Sequence, residues 1–144
     1  TNYNFEKDKF YSLFVVGADS TFRNIVALDN FDSLSGSNGK AYIRYINAIP
    51  DSSRPVVKMS INGTAVVNNP AAFAGVSEFA AIDPGTIAVD ISNDANIKAS
   101  RNIEVVAKKA YTVLFIGKPG QTGGKELQIR FIENGTLADS NANR

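Results

Sequence analysis

Hydrophobic and polar residues alternate singly along the chain or gather into short β-branched runs. The three-to-four spacing of an amphipathic helix is nowhere sustained over ten residues. Phe10 to Val16 (FYSLFVV) and Phe22 to Leu28 (FRNIVAL) predict two strands joined by Gly17-Ala18-Asp19-Ser20. Lys40 to Ile49 predicts a third, with Tyr42, Arg44 and Ile46 on one face, Ile43, Tyr45 and Asn47 on the other, and Pro50-Asp51 as its stop. Val56 to Ile61 and Thr64 to Val67 flank Asn62-Gly63, which suits a type I′ hairpin because both central positions need positive φ. Val76 to Ile82, Thr86 to Ser92, Ile97 to Val106, Tyr111 to Ile116 and Glu126 to Ile132 complete the set. They are punctuated by Asp83-Pro84-Gly85, Asn93-Asp94-Ala95-Asn96, Ala107-Lys108-Lys109 and a Gly-rich loop from Gly117 to Gly124.

Short strands with turn signals about every 8 to 12 residues predict an all-β fold. The expected form is an immunoglobulin-like antiparallel β-sandwich of seven strands over 40–137, with an additional N-terminal β-hairpin. Its core is expected from Ile43, Tyr45, Val57, Met59, Phe79, Ile87, Val89, Ile103, Val105, Tyr111, Val113, Phe115, Ile129 and Phe131. The chain also repeats itself: KDKFYSLFVVGADSTFRNIVALDN aligns with AKKAYTVLFIGKPGQTGGKELQIRFIEN. Lys9, Tyr11, Val16 and Gly17 match Lys109, Tyr111, Ile116 and Gly117 at a constant offset of 100, and after a longer loop Asp29-Asn30 falls on Glu133-Asn134. Residues 1–31 therefore read as the closing hairpin of an incomplete upstream module, 32–39 (DSLSGSNG) as a linker, 40–137 as a complete module and 138–144 as a disordered tail. A start in mid-module and an end at Arg144 suit trimming by a trypsin-like protease.

Composition narrows the chemistry. The chain contains no His, no Cys and no Trp, so the commonest general acid–base residue, the thiol nucleophile and most zinc sites are missing together. Fifteen basic residues against fourteen acidic ones, scattered along the chain, give no electrostatic footprint for a phosphate backbone, and nucleic acid is not an expected partner. No apolar run approaches the roughly 18 residues of a membrane span. Absence of Cys combined with fifteen Asn leans towards a secreted, turn-rich β protein.

The succession AYIRYINAIPDS, VVKMSINGT, IDPGTIAVDIS and VVAKKAYTVLFIG resembles the bacterial immunoglobulin-like module of domain of unknown function 4397, over residues 40–137 and, through the repeat, 7–31. That family often carries His in its first strand, where this chain has Asn47-Ala48-Ile49-Pro50-Asp51, so any role of that His does not transfer. The resemblance implies a tandem module of Bacteroidota-type surface lipoproteins, placed outside the cell or at its surface from a lipid-anchored precursor in a Gram-negative bacterium. It implies no activity.

Tyr111 and its counterpart Tyr11 each open an apolar strand just after a turn, the setting of a tyrosine corner, whose hydroxyl bonds backbone upstream. Lys118 to Lys125 has the glycines of a phosphate loop but neither its spacing nor a following helix. Asp90, Asn93, Asp94 and Asn96 put four oxygen side chains in seven residues, short of any calcium-loop pattern and ordinary for a turn. Asn62-Gly63-Thr64 and Asn134-Gly135-Thr136 match an N-glycosylation pattern and read better as tight turns. Ser20, in Asp19-Ser20-Thr21, and Ser33, in Asp32-Ser33-Leu34, resemble O-glycosylation signals of exported Bacteroidota proteins. The expectation is a non-catalytic surface module without a cofactor or metal. Its rivals are a strand-exchanging subunit that self-associates through the N-terminal hairpin, and a glycan-binding module.

Overall fold

The computed structural model describes residues 4–18, 21–29, 34 and 38–137. Their regular structure is ten strands: β1 (Tyr11–Ala18), β2 (Thr21–Leu28), β3 (Ala41–Asn47), β4 (Val56–Ile61), β5 (Thr64–Pro70), β6 (Ala80–Ile82), β7 (Gly85–Ser92), β8 (Lys98–Val105), β9 (Lys109–Ile116) and β10 (Gln128–Thr136). β1 and β2 form a separate antiparallel hairpin, and the other eight make two four-stranded sheets, ordered β10-β9-β3-β6 and β5-β4-β7-β8. Among the described residues, no helix is long and apolar enough to cross a membrane.

The alternation read from the sequence decides which face of each strand turns inward. On β4, β7 and β8 only every second residue is buried: Val57 and Met59, Ile87, Val89 and Ile91, Ile103 and Val105. Ile43 and Tyr45 of β3, Tyr111, Val113 and Phe115 of β9, and Ile129 of β10 join them in one cluster. Burying one such side chain fully contributes about 1.5–3 kcal/mol, so this double layer holds the two sheets together. β3 breaks the alternation, being buried along its whole length. Its inner face meets the core and its outer face lies under the N-terminal hairpin.

Turn chemistry closes the ladders. Asn62 and Gly63 have φ of 50° and 79°, the pair of positive values that a type I′ turn demands between β4 and β5. Between β7 and β8 the Asn93 Oδ1 accepts the N–H groups of Ala95 and Ile97, both at 2.9 Å.

The sandwich departs from the expected one in several particulars. Over 40–137 the eight strands read from the alternation all form, one more than the seven of the expected immunoglobulin-like sandwich, and one ladder, β3 with β9, runs parallel. The predicted strand from Val76 shrinks to Ala80–Ile82 plus an isolated bridge between Val76 and Ile46. There the Ser77 hydroxyl accepts the Tyr45 N–H at 2.9 Å, so a side chain takes the place of a ladder carbonyl. Asp83-Pro84-Gly85 carries the chain from one sheet to the other, since β6 and β7 belong to different sheets. Phe79 lies outside the main core, packed with Tyr42, Ala110 and Leu137, because the run before β6 passes along the outer face of its sheet. Phe131, on the edge strand β10, is only partly buried. Ile49, Ile91 and Ile97 are core residues that the sequence reading omitted. The expected linker falls mostly, and the expected tail wholly, outside the described residues.

Candidate functional site

Arg44 stands in the middle of β3, between core residues Ile43 and Tyr45, and period two therefore aims its side chain out of the sandwich. It is nevertheless only 2% exposed. Its Nε donates to Thr112 Oγ1 at 2.9 Å, on the neighbouring strand β9. Its Nη2 donates to Ser12 Oγ at 3.2 Å and lies 2.6 Å from Asp29 Oδ1, both on the hairpin unit. The guanidinium plane covers the Phe79 ring at 4.6 Å from the ring centre.

Each hydroxyl that accepts from Arg44 passes its own proton onward. Ser12 donates to Asp29 Oδ2 at 2.6 Å, and Thr112 donates to Asn134 Oδ1 at 2.5 Å. Asp29 Oδ1, buried beside the guanidinium, meets Arg44 as an ion pair. Because removing one member of a buried ion pair leaves the other charge without compensation, Arg44 and Asp29 depend on each other. Chemically, the cluster joins two separately hydrogen-bonded β units through one planar, five-donor cation.

The two tyrosines occupy matching settings. Tyr111 Oη accepts the N–H of Val106 at 3.0 Å, and Tyr11 Oη accepts that of Glu6 at 2.9 Å. Between hydroxyl and partner, Lys108 and Asp8 have φ of 68° and 64°. Tyr111 is buried against Phe131, while Tyr11 meets Phe5 edge to face at 4.9 Å. The hydrogen bonds move the expected alignment by one residue at its end: Asp29 plays the part of Asn134, not of Glu133, because β10 carries a bulge between Glu133 and Gly135.

Two clefts run between hairpin and sandwich. One, of about 390 Å³, is lined by Ala27, Leu28, Leu34, Arg44, Glu78 and Phe79, among others. The other, of about 520 Å³, has Val15, Val16, Gly17 and Phe22 on one side and Ala48, Pro50, Ile116, Gly117, Lys118 and Lys125 on the other. Gly117 belongs there for a steric reason. Its φ is +96°, and a Cβ would sit 2.0 Å from the Glu126 carbonyl oxygen, where Lys118 N–H and Lys125 C=O tie the base of the Gly-rich loop at 2.9 Å.

The remaining candidates lie apart from this cluster. Ser20 and Ser33 fall outside the described residues. Asp90 is in the β7 ladder opposite Lys58 and Ser100, and Asn93 spends its oxygen on the turn amides, so the four oxygen side chains do not converge. Among the described residues, no group of three or more His, Cys, Asp or Glu could hold a metal ion. Asn62 and Asn134 lie in the β4–β5 turn and the β10 bulge. One carboxyl and one phenol are shifted. Ser53, through its hydroxyl and N–H, holds Asp51 below the usual carboxylate range, and burial pushes the Tyr45 phenol up. Lys109, paired with Glu133 at 2.9 Å, is also shifted upward.

A two-sheet β-sandwich whose first strand carries a buried arginine into a second β unit is the class that fold and site define. The chain belongs to the family described as domain of unknown function (DUF4397), whose pattern matches residues 41–144. No curated protein matches the sequence.

Proposed function

We propose that this protein is a non-catalytic module of the bacterial cell exterior, one unit in a tandem array of sandwiches, and that residues 1–31 close the unit before it. The observation that carries this reading is the correspondence of β1–β2 with β9–β10. Tyrosine hydroxyl bonds, left-handed backbone at 8 and 108, glycines of positive φ at 17 and 117, and hydroxyl-to-oxygen pairs all recur. The faces correspond as well. Leu13, Val15, Phe22 and Leu28 are 46–65% exposed, whereas Val113 and Phe115, the matches of Leu13 and Val15, lie in the core. An apolar sheet face of that kind belongs inside a sandwich. The surface address is supported by the absence of Cys, the Asn-rich turns and the family resemblance.

Antibody against the sandwich tests the address on intact cells of the source bacterium. Staining that external protease abolishes is expected; staining that appears only after lysis refutes it. The same open face favours a second reading, a subunit that self-associates by strand exchange. Sedimentation of the 144-residue chain over a hundredfold concentration range separates the two, because a monomer throughout removes the second.

A further inference from the structure

Residue n of the hairpin lies beside residue n + 100 of the sandwich at both ends of β1. Ser12 and Thr112 meet on one guanidinium, and Val16-Gly17 and Ile116-Gly117 line one cleft. Equivalent strands that run the same way at equal heights and turn the same face towards each other, as Ser12 and Thr112 do across the guanidinium, are related by a local two-fold axis along them. Such a contact is reciprocal: where a surface of one unit covers part of the other, the equivalent surface is due to be covered in return.

Only half of that exchange is filled here. On the face of the hairpin turned towards β3, Val16 and Ala27 are 7% and 9% exposed. Strand register equates these with Ile116 and Ile132, since Ser12 pairs with Ala27 as Thr112 pairs with Ile132. Yet Ile132 is 44% exposed, and it lines a shallow open pocket with Leu114, Ile116 and Arg130 of the outer face and with Arg101 and Phe131 at the β10 edge.

We infer that this open half, with the Thr112–Asn134 pair at its end, is the docking surface for the first strand of the preceding module of the same polypeptide, the module that β1–β2 closes. The inference rests on the tandem reading. The occupant is a β3-like strand, apolar on its outer face and carrying a donor side chain where Arg44 stands, so that two modules grip each other through paired outer sheets.

The test is a hybrid in which residues 40–105 precede residue 6 of the full chain, so that β1–β2 closes a second whole sandwich. A second version carries Asn24→Ile, restoring the aliphatic side chain that Ile129 supplies opposite Phe115. Ile132→Asp is expected to shift the Tm of the 144-residue chain by no more than about 2 °C, as for an exposed site. In the hybrid it is expected to cost at least twice that and to raise amide exchange in β9 and β10 tenfold. Equal small shifts in both, with the Leu13 and Val15 amides newly protected in the hybrid, overturn the docking surface but leave the tandem reading standing. If Leu13 and Val15 stay open in both hybrid versions, the tandem reading fails and the docking surface falls with it.

Discussion

Arg44 holds a full positive charge in a place almost closed to water, and what makes that tolerable is the number of its partners. A lysine there supplies one compact charge and cannot span Thr112, Ser12 and Asp29 at once. Arg44→Met and Asp29→Leu are each expected to destabilise the protein by about 3–5 kcal/mol, whereas the double variant loses less than the two combined, since neither charge is then left alone. Urea unfolding of the four proteins measures the coupling. Asp51 makes a different kind of prediction. Because its carboxyl is held below the ordinary range by Ser53, its contribution is present above the unfolded pKa of about 3.9 and is lost as pH falls through the folded value. Ser53→Ala is expected to move the Asp51 titration upward, read from the carboxyl carbon shift by NMR.

At the scale of elements, β9 pairs with β10 on one side and β3 on the other, and the loop that follows it is closed at Gly117. Gly117→Ala forces a Cβ onto the Glu126 carbonyl and is expected to cost about 3 kcal/mol by chemical denaturation. Gly120→Ala meets open space and carries only the strain of a positive φ, about 1 kcal/mol. The tyrosines themselves differ by burial: Tyr111→Phe removes the buried hydroxyl that accepts the Val106 N–H and is expected to lower stability by about 1 kcal/mol, measured the same way, with Tyr11→Phe costing less because Tyr11 is only partly buried. Alternation made the inner faces of β4, β7 and β8 legible from the sequence, as the Asn62-Gly63 turn was from its dipeptide. The sheet assignments around Asp83-Pro84-Gly85 were not legible, since a turn motif does not say whether the chain returns to the same sheet or crosses to the other. Ile97 shares the period-two face of Ile103 and Val105 and was as legible as they were; as the first residue of its predicted strand, next to the Asn-rich turn, it was left out of the expected core. The Arg44 cluster was half visible. An arginine interrupting AYIRYI placed itself on the outer face, but only tertiary contact brings Ser12, Asp29 and Thr112 to it from distant strands.

The molecule as a whole divides its energy unevenly. Among the described residues, the main core cluster draws no member from β1 or β2, so residues 38–144 are expected to fold without the hairpin, with the sandwich melting as one cooperative transition by circular dichroism. Loss of the hairpin opens the outer face of β3, and a Tm several degrees lower is the expected mark of that exposure.

The parallel ladder between β3 and β9 bears on how such a protein comes into being. Ile43 lies opposite Tyr111, and Asn47 opposite Phe115, so the earliest strand of the sandwich waits for nearly the last before its central partner exists. Contacts of such long sequence separation slow folding. On a ribosome, β4, β5, β7 and β8 can assemble as hairpins while β3 remains only half-paired through β6. Closure of the sandwich is thereby deferred until the final hairpin has emerged, which makes that ribbon the timer of the fold.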